Sequence, residues 1–199
     1  MIEISRKNVG RIAERIVMNE LDARGFRSTD LNKDGVSTNV DLVAAKGGRI
    51  FQVQVKGSSI KPDEKWWIGY GSATASSVAR ATPFFNSKEG HYVADVVVLV
   101  AVRSLKDYIC IVLPTAVAEK AAQLNLDNYY RLPKGNGDER IPHRVWVHFD
   151  YCPKPRLGSA EAMANQTKLV KRQQAIFAQY RDAWDSVFSR LPQKASRKT

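Results

Sequence analysis

Cysteine and histidine are scarce: Cys110 and Cys152 are the only thiols, and His91, His143 and His148 the only imidazoles. Two distant thiols make neither a disulfide framework nor a zinc site, and the histidines show no ligand spacing such as HxxxH. Any metal must therefore be held by oxygen. Long hydrophobic runs are missing as well. The longest uncharged apolar stretch, Val96 to Val102, is far too short to cross a bilayer, and the first residues, MIEISRKNVG, lack the apolar core of a signal peptide. These absences predict a cytoplasmic protein without membrane association. Acids are outnumbered by bases, 20 against 31, for a net charge of +11. Residues 154–199 hold ten basic and three acidic side chains, +7 of that total. Such a cluster suits a polyanion, since Lys and Arg that neutralise phosphates release condensed counterions. A solvated helix or a basic tail would give the same count.

What is present suits a globular chain. At 199 residues with 44% hydrophobic side chains, it can bury a core as one domain with an appendage. From about Asn8 to Arg24 the periodicity predicts a helix, with Val9, Ile12, Ala13, Ile16, Val17, Leu21 and Ala23 on one broad face and Gly25 closing it. Glu14 falls just past the edge of that arc, and Glu20 within it is a rival acid. Phe26 to Val40 reads as a turn-rich connection. Gly69 to Asn86 is open between a loose helix near Ser76 to Ala81 and an extended loop. Val96 to Val102 and Tyr108 to Leu113 read as buried strands, followed by a short helix from Pro114 to Leu124. Lys134 to Arg140 reads as a loop, and Arg144 to Asp150 as an edge strand.

Pro153 and Pro155 mark a boundary. Residues 1–152 are expected to form the main domain, and 153–192 a basic amphipathic segment in which Ala160 to Leu191 is one long helix. Its stripe of Leu169, Ile176, Tyr180, Trp184, Val187 and Leu191 either docks on the domain or pairs with a second copy as a homodimer. Arg156, Lys168, Lys171 and Arg172 are candidate phosphate contacts. Residues 193–199 are expected to be disordered.

The stretch with chemical content is Asp41 to Lys56, DLVAAKGGRIFQVQVK. A short apolar limb follows the acid, Lys46-Gly47-Gly48-Arg49 supplies a tight turn, and the second limb alternates. Phe51, Val53 and Val55 point one way; Ile50, Gln52, Gln54 and Lys56 point the other. Alone, this is a hairpin with one solvated face.

The order of helix with Glu14, strand with Asp41, hairpin, then strand with Gln54 and Lys56 resembles the PD-(D/E)XK nuclease superfamily. The resemblance rests on Gly10-Arg11-Ile12-Ala13-Glu14, on Val40-Asp41-Leu42-Val43 and on Phe51-Gln52-Val53-Gln54-Val55-Lys56-Gly57, and spans roughly residues 8–124. Gln54 stands where a carboxylate is usual, similar to the QXK version of Mrr-like members. The resemblance implies an α/β fold, a restriction-endonuclease-like mixed sheet flanked by helices, with the long C-terminal helix added. It implies a metal-dependent endonuclease acting on DNA, with RNA as the alternative substrate. Asp41, Glu14, the Gln54 amide oxygen and the Val55 main-chain carbonyl would bind Mg²⁺ or Mn²⁺, and Lys56 would stabilise charge at the phosphate. The competing reading is a nuclease fold that binds nucleic acid or a partner without cleaving.

Overall fold

Seven consecutive residues without a charge, Val96 to Val102, can be buried only if both faces of their strand are covered, and all seven have zero exposure. They form the centre of the computed structural model, which describes residues 8–31, 40–59, 67–73, 94–118, 120–121, 143–148 and 160–192. The expectations for Ser76 to Ala81, Lys134 to Arg140, the Pro153–Pro155 boundary, Arg156, Cys152 and the tail lie outside the described residues.

Helix α1 (Val9–Ala23) leads into strands β1 (Arg27–Asp30), β2 (Leu42–Lys46) and β3 (Arg49–Ser59). Strand β4 (Trp67–Ala73) precedes β5 (Val96–Ser104), β6 (Asp107–Pro114) and β7 (His143–His148). The main sheet has the order β1-β2-β3-β5-β6, while β4 and β7 pair separately. Within the main sheet β3 and β5 run parallel and the other neighbours antiparallel. The architecture is thus the expected α/β fold, a mixed five-stranded sheet flanked by helices.

Local chemistry explains most boundaries. Gly25 ends α1 with φ +78°, its N–H donating to the Asp22 carbonyl at 2.9 Å and the Phe26 N–H to that of Leu21 at 3.1 Å. Those two bonds make a Schellman cap. Gly47 and Gly48 both have positive φ, and Lys46 pairs with Arg49, so a two-residue turn links β2 to β3 with the twist that hairpins favour. β1 departs from expectation, since Phe26 to Val40 reads as a connection. RSTD has no apolar alternation to announce a strand; its register, from Arg27 opposite Ala45 to Asp30 opposite Leu42, is imposed by the free edge of β2.

Two apolar layers enclose the sheet. On one face Ala13, Ile16, Val17 and Leu21 of α1 pack on Phe51, Val53 and Val55 and on the even-numbered residues of β5. The other face presents Val97, Leu99 and Ala101 beside Leu113, Ile111 and Ile109, their cross-strand partners.

The C-terminal segment is two helices rather than one. Helix α2 (Ala160–Ala178) stops, Asp182 takes φ +50°, and α3 (Trp184–Arg190) follows. Tertiary hydrogen bonding overrides helical periodicity here: Val112 N–H donates to the Tyr180 carbonyl at 2.9 Å and Asp182 N–H to that of Cys110 at 3.0 Å. The connection thereby pairs with the outer edge of β6, satisfying groups an edge strand would leave unpaired. Among the described side chains of α2 the buried ones are Gln173 and Phe177, whereas the anticipated Ile176 is half-buried. Trp184, Val187 and Phe188 join the α1 layer, with the Phe188 ring 4.8 Å from Phe26 and 5.1 Å from Phe51. Among the described residues no helix is long and apolar enough to cross a membrane.

Candidate functional site

Asp41 is placed by main-chain bonding. Its N–H donates to the Val53 carbonyl at 3.0 Å, its own carbonyl accepts from Leu31 at 2.9 Å, and the Val55 N–H donates to its Oδ2 at 2.6 Å. The regular β2–β3 ladder ends one residue earlier, at Leu42 opposite Val53. The carboxylate therefore takes the acceptor position that a main-chain carbonyl would fill if β2 continued, and Asp41 grips β3 on both sides of Gln54.

Gln54 and Lys56 share a strand face, as the period of two requires, and lie opposite Val97 and Leu99 of β5. Gln54 is only 2% exposed, and its Oε1 is buried without a hydrogen-bond partner. Such an oxygen normally finds a donor, so an orphan at this position needs a reason. Lys56 is half-buried. Past Val53 β3 keeps its parallel pairing with β5 as far as Ser59 opposite Val102, but no described strand is hydrogen-bonded to it on its Asp41 side. The polar residues thus stand where two neighbouring strands part.

Glu14 approaches from elsewhere. A Cβ on Gly57 would come within 2.7 Å of the Ala13 Cβ and 3.0 Å of the Val9 carbonyl oxygen, so α1 crosses β3 at this glycine. Gly57 shares the face of Val53 and Val55, which puts α1 and half-buried Glu14 on the opposite side of β3 from Gln54 and Lys56. Donors on the two faces can converge only around the edge of β3, where β2 has ended.

The rival acid is otherwise engaged. Glu20 accepts from the Tyr108 hydroxyl at 2.7 Å and pairs with Arg24. Its hydrogen bond, reinforced by burial, pushes the Tyr108 phenol up to about 12. Burial likewise drives the Cys110 thiol far above its ordinary range, with nearby Asp182 adding to the effect, which suits an inert core residue.

Lys168, Lys171 and Arg172 are all exposed on α2, at spacings that share one helix face. A residue that sequence reasoning passed over is Asp95, whose Oδ2 accepts from the Gln52 N–H at 2.9 Å while its own N–H donates to the Gln52 carbonyl at 2.8 Å. Asp41 and Asp95 therefore hold β3 from its two edges. The available signal was an acid immediately before an all-apolar strand. Among the described residues no three His, Cys, Asp or Glu side chains group as metal ligands.

No protein-family model matches the chain, and no curated protein matches it in sequence. Among solved structures, it is similar to the bacterial homing endonuclease I-Ssp6803I at 16% identity and a TM-score of 0.49, over 94% of this chain and 95% of that one. It is also similar to MepB at 11% identity and a TM-score of 0.33, over 84% and 93%. Agreement this loose does not carry a reaction from one chain to another.

Proposed function

We propose that the chain is a metal-dependent nuclease hydrolysing phosphodiester bonds of DNA, with its site in the QXK form of the PD-(D/E)XK pattern. The observation that carries this reading is the grip of Asp41 on β3 astride Gln54, with Lys56 next along the same face. A strand end with a merely solvated lysine has no need of that arrangement.

The donor set fits a hard divalent cation. Asp41, the buried Gln54 Oε1, the Val55 carbonyl and Glu14 would hold Mg²⁺ or Mn²⁺, and an oxygen acceptor buried without a donor is what a cation would satisfy. When bound, the ion would supply Lewis-acid stabilisation of phosphate charge. The residues supply position and electrostatics. Asp41 is orientated by the Val55 amide, so its carboxylate is held before substrate arrives. Lys56 brings positive charge to the phosphate as water adds at phosphorus and the bond to one sugar oxygen breaks. The exposed triad Lys168, Lys171 and Arg172 would contact phosphates without reading bases.

Nicking of supercoiled plasmid tests the reading. Cleavage should require Mg²⁺ or Mn²⁺ and disappear in Asp41→Ala, while Lys56→Ala should lose about 10²-fold or more in rate. Intact DNA and RNA with both metals, together with salt-sensitive DNA binding, would instead establish a binding module that keeps the fold without the chemistry.

A further inference from the structure

Two acids close the ladders on either side of β3 in the same way. Asp41 stands one residue before β2, and Asp95 one residue before β5. Each lends a carboxylate oxygen to a β3 amide: Asp41 Oδ2 takes the Val55 N–H at 2.6 Å, and Asp95 Oδ2 takes the Gln52 N–H at 2.9 Å. The grips come from opposite edges and bracket Val53 and Gln54, the residue whose Oε1 is buried without a donor. Asp95 is itself firmly held. Its N–H donates to the Gln52 carbonyl at 2.8 Å, so both main-chain groups of Gln52 end on one residue. Its carbonyl accepts from the Thr115 N–H at 3.1 Å, and the Thr115 hydroxyl donates to the Ala94 carbonyl. The next seven residues, Val96 to Val102, have zero exposure, and a close-packed strand of that kind has little room to shift.

β3 and β5 are already joined over seven residue pairs, from Val53 opposite Val96 to Ser59 opposite Val102. One more hydrogen bond at the start adds little to their association. What it fixes is the height at which Gln54 and Lys56 stand against the buried strand, and a displacement of about 1 Å at a reacting centre can cost about 10²-fold in rate. We infer that Asp95 is a positioning residue of the proposed site, holding Gln54 and Lys56 in place through the main chain of Gln52 rather than by contact with metal or substrate. This rests on the nuclease reading and adds a residue to it.

Steady-state plasmid nicking by the full chain with Mg²⁺, at a temperature well below the unfolding midpoint of each variant, tests the assignment. Asp95→Ala should lower kcat about tenfold or more while KM for DNA stays within about twofold of its original value. Asp95→Asn, which keeps an oxygen for the Gln52 N–H, should recover most of that rate. Tyr108→Phe serves as the control, because it removes a hydrogen bond on the α1 side of the sheet, opposite Val102; it should lose stability and keep kcat. Asp95→Glu retains the charge but is longer by one methylene, and it should also lower kcat, which keeps the test decisive if Asp95→Ala does not fold. An unchanged kcat in Asp95→Ala, or in Asp95→Glu where the former does not fold, would overturn the positioning role. So would a rise in KM at constant kcat, which would put Asp95 on the substrate, or a failure of Asp95→Asn to recover the rate. In each of these cases cleavage by the unaltered protein leaves the nuclease reading standing, whereas a chain that nicks no DNA with either metal overturns both.

Discussion

Asp41 and Val55, 14 positions apart, are joined by a 2.6 Å hydrogen bond from the Val55 amide to the Asp41 carboxylate. The side chain finishes a ladder that the backbone of β2 leaves incomplete, so one residue terminates a strand pair and presents a carboxylate. The two roles separate by substitution. Asp41→Asn retains an oxygen acceptor for the Val55 N–H and should lose cleavage while staying close to native stability. Asp41→Ala should lose cleavage and also about 1–3 kcal/mol, the cost of a buried donor left unpaired. Urea unfolding beside the plasmid assay distinguishes them, and equal stability of the two variants would argue against the capping role.

Gly57 is required by contact rather than by backbone conformation. A methyl group there would lie 2.7 Å from the Ala13 Cβ and 3.0 Å from the Val9 oxygen, and main chain cannot yield as the end of a flexible side chain can. Gly57→Ala should destabilise by about 1–3 kcal/mol. Adding Ala13→Gly relieves the closest contact, so the double variant should be less destabilised than the two single effects predict, even though glycine within a helix costs about 1 kcal/mol. Strict additivity in a double-mutant cycle would show that the two positions do not meet.

Tyr108 links β6 to α1 through Glu20, and the proton on its hydroxyl is what donates that bond. With its phenol pushed up to about 12 in the native state and near 10 when unfolded, the folded protein binds the proton more tightly. The contribution is complete below pH ~10 and declines as pH rises through the interval to ~12. Tyr108→Phe should cost about 1–3 kcal/mol at neutral pH and show a shallower alkaline loss of stability. Denaturant midpoints measured between pH 8 and 12 on both proteins test this; parallel profiles would remove Tyr108 from the alkaline transition.

Replacing Lys168, Lys171 and Arg172 together by Ala should weaken DNA binding similarly for unrelated sequences. Each lost phosphate contact should reduce the slope of log affinity against log salt by about 0.9 for duplex DNA. Because the three side chains are exposed, thermal stability should hardly change. An unchanged salt slope would assign the charge of α2 to solvation.

Legibility in the sequence followed the range of the interactions involved. The Gly25 cap, the Gly47-Gly48 turn and the common face of Gln54 and Lys56 arise from local conformational rules, and the structure contains each of them. The buried run from Val96 to Val102 was readable because no alternating pattern could leave one of its faces wet. β1 was not readable, since RSTD is a strand only because β2 offers it an edge. Nor was the break between α2 and α3: Asp182 leaves the helix because Cys110 and Val112, some 70 positions earlier, supply other partners for the backbone.

The sequence by itself singled out the candidates for chemistry: an acid before a short strand, an amide and a lysine alternating on the next, and a second acid on the first helix. Period and turn chemistry are local, so they survive in one dimension. Only the tertiary structure decided how those groups stand to one another. It ends β2 at Leu42 so that the Asp41 side chain completes the ladder, sets α1 on the far face of β3 by contact at Gly57, and commits Glu20 to Tyr108 and Arg24. The reason is that strand termination, the choice of helix face and the partner of a buried acid all depend on surfaces contributed by distant parts of the chain.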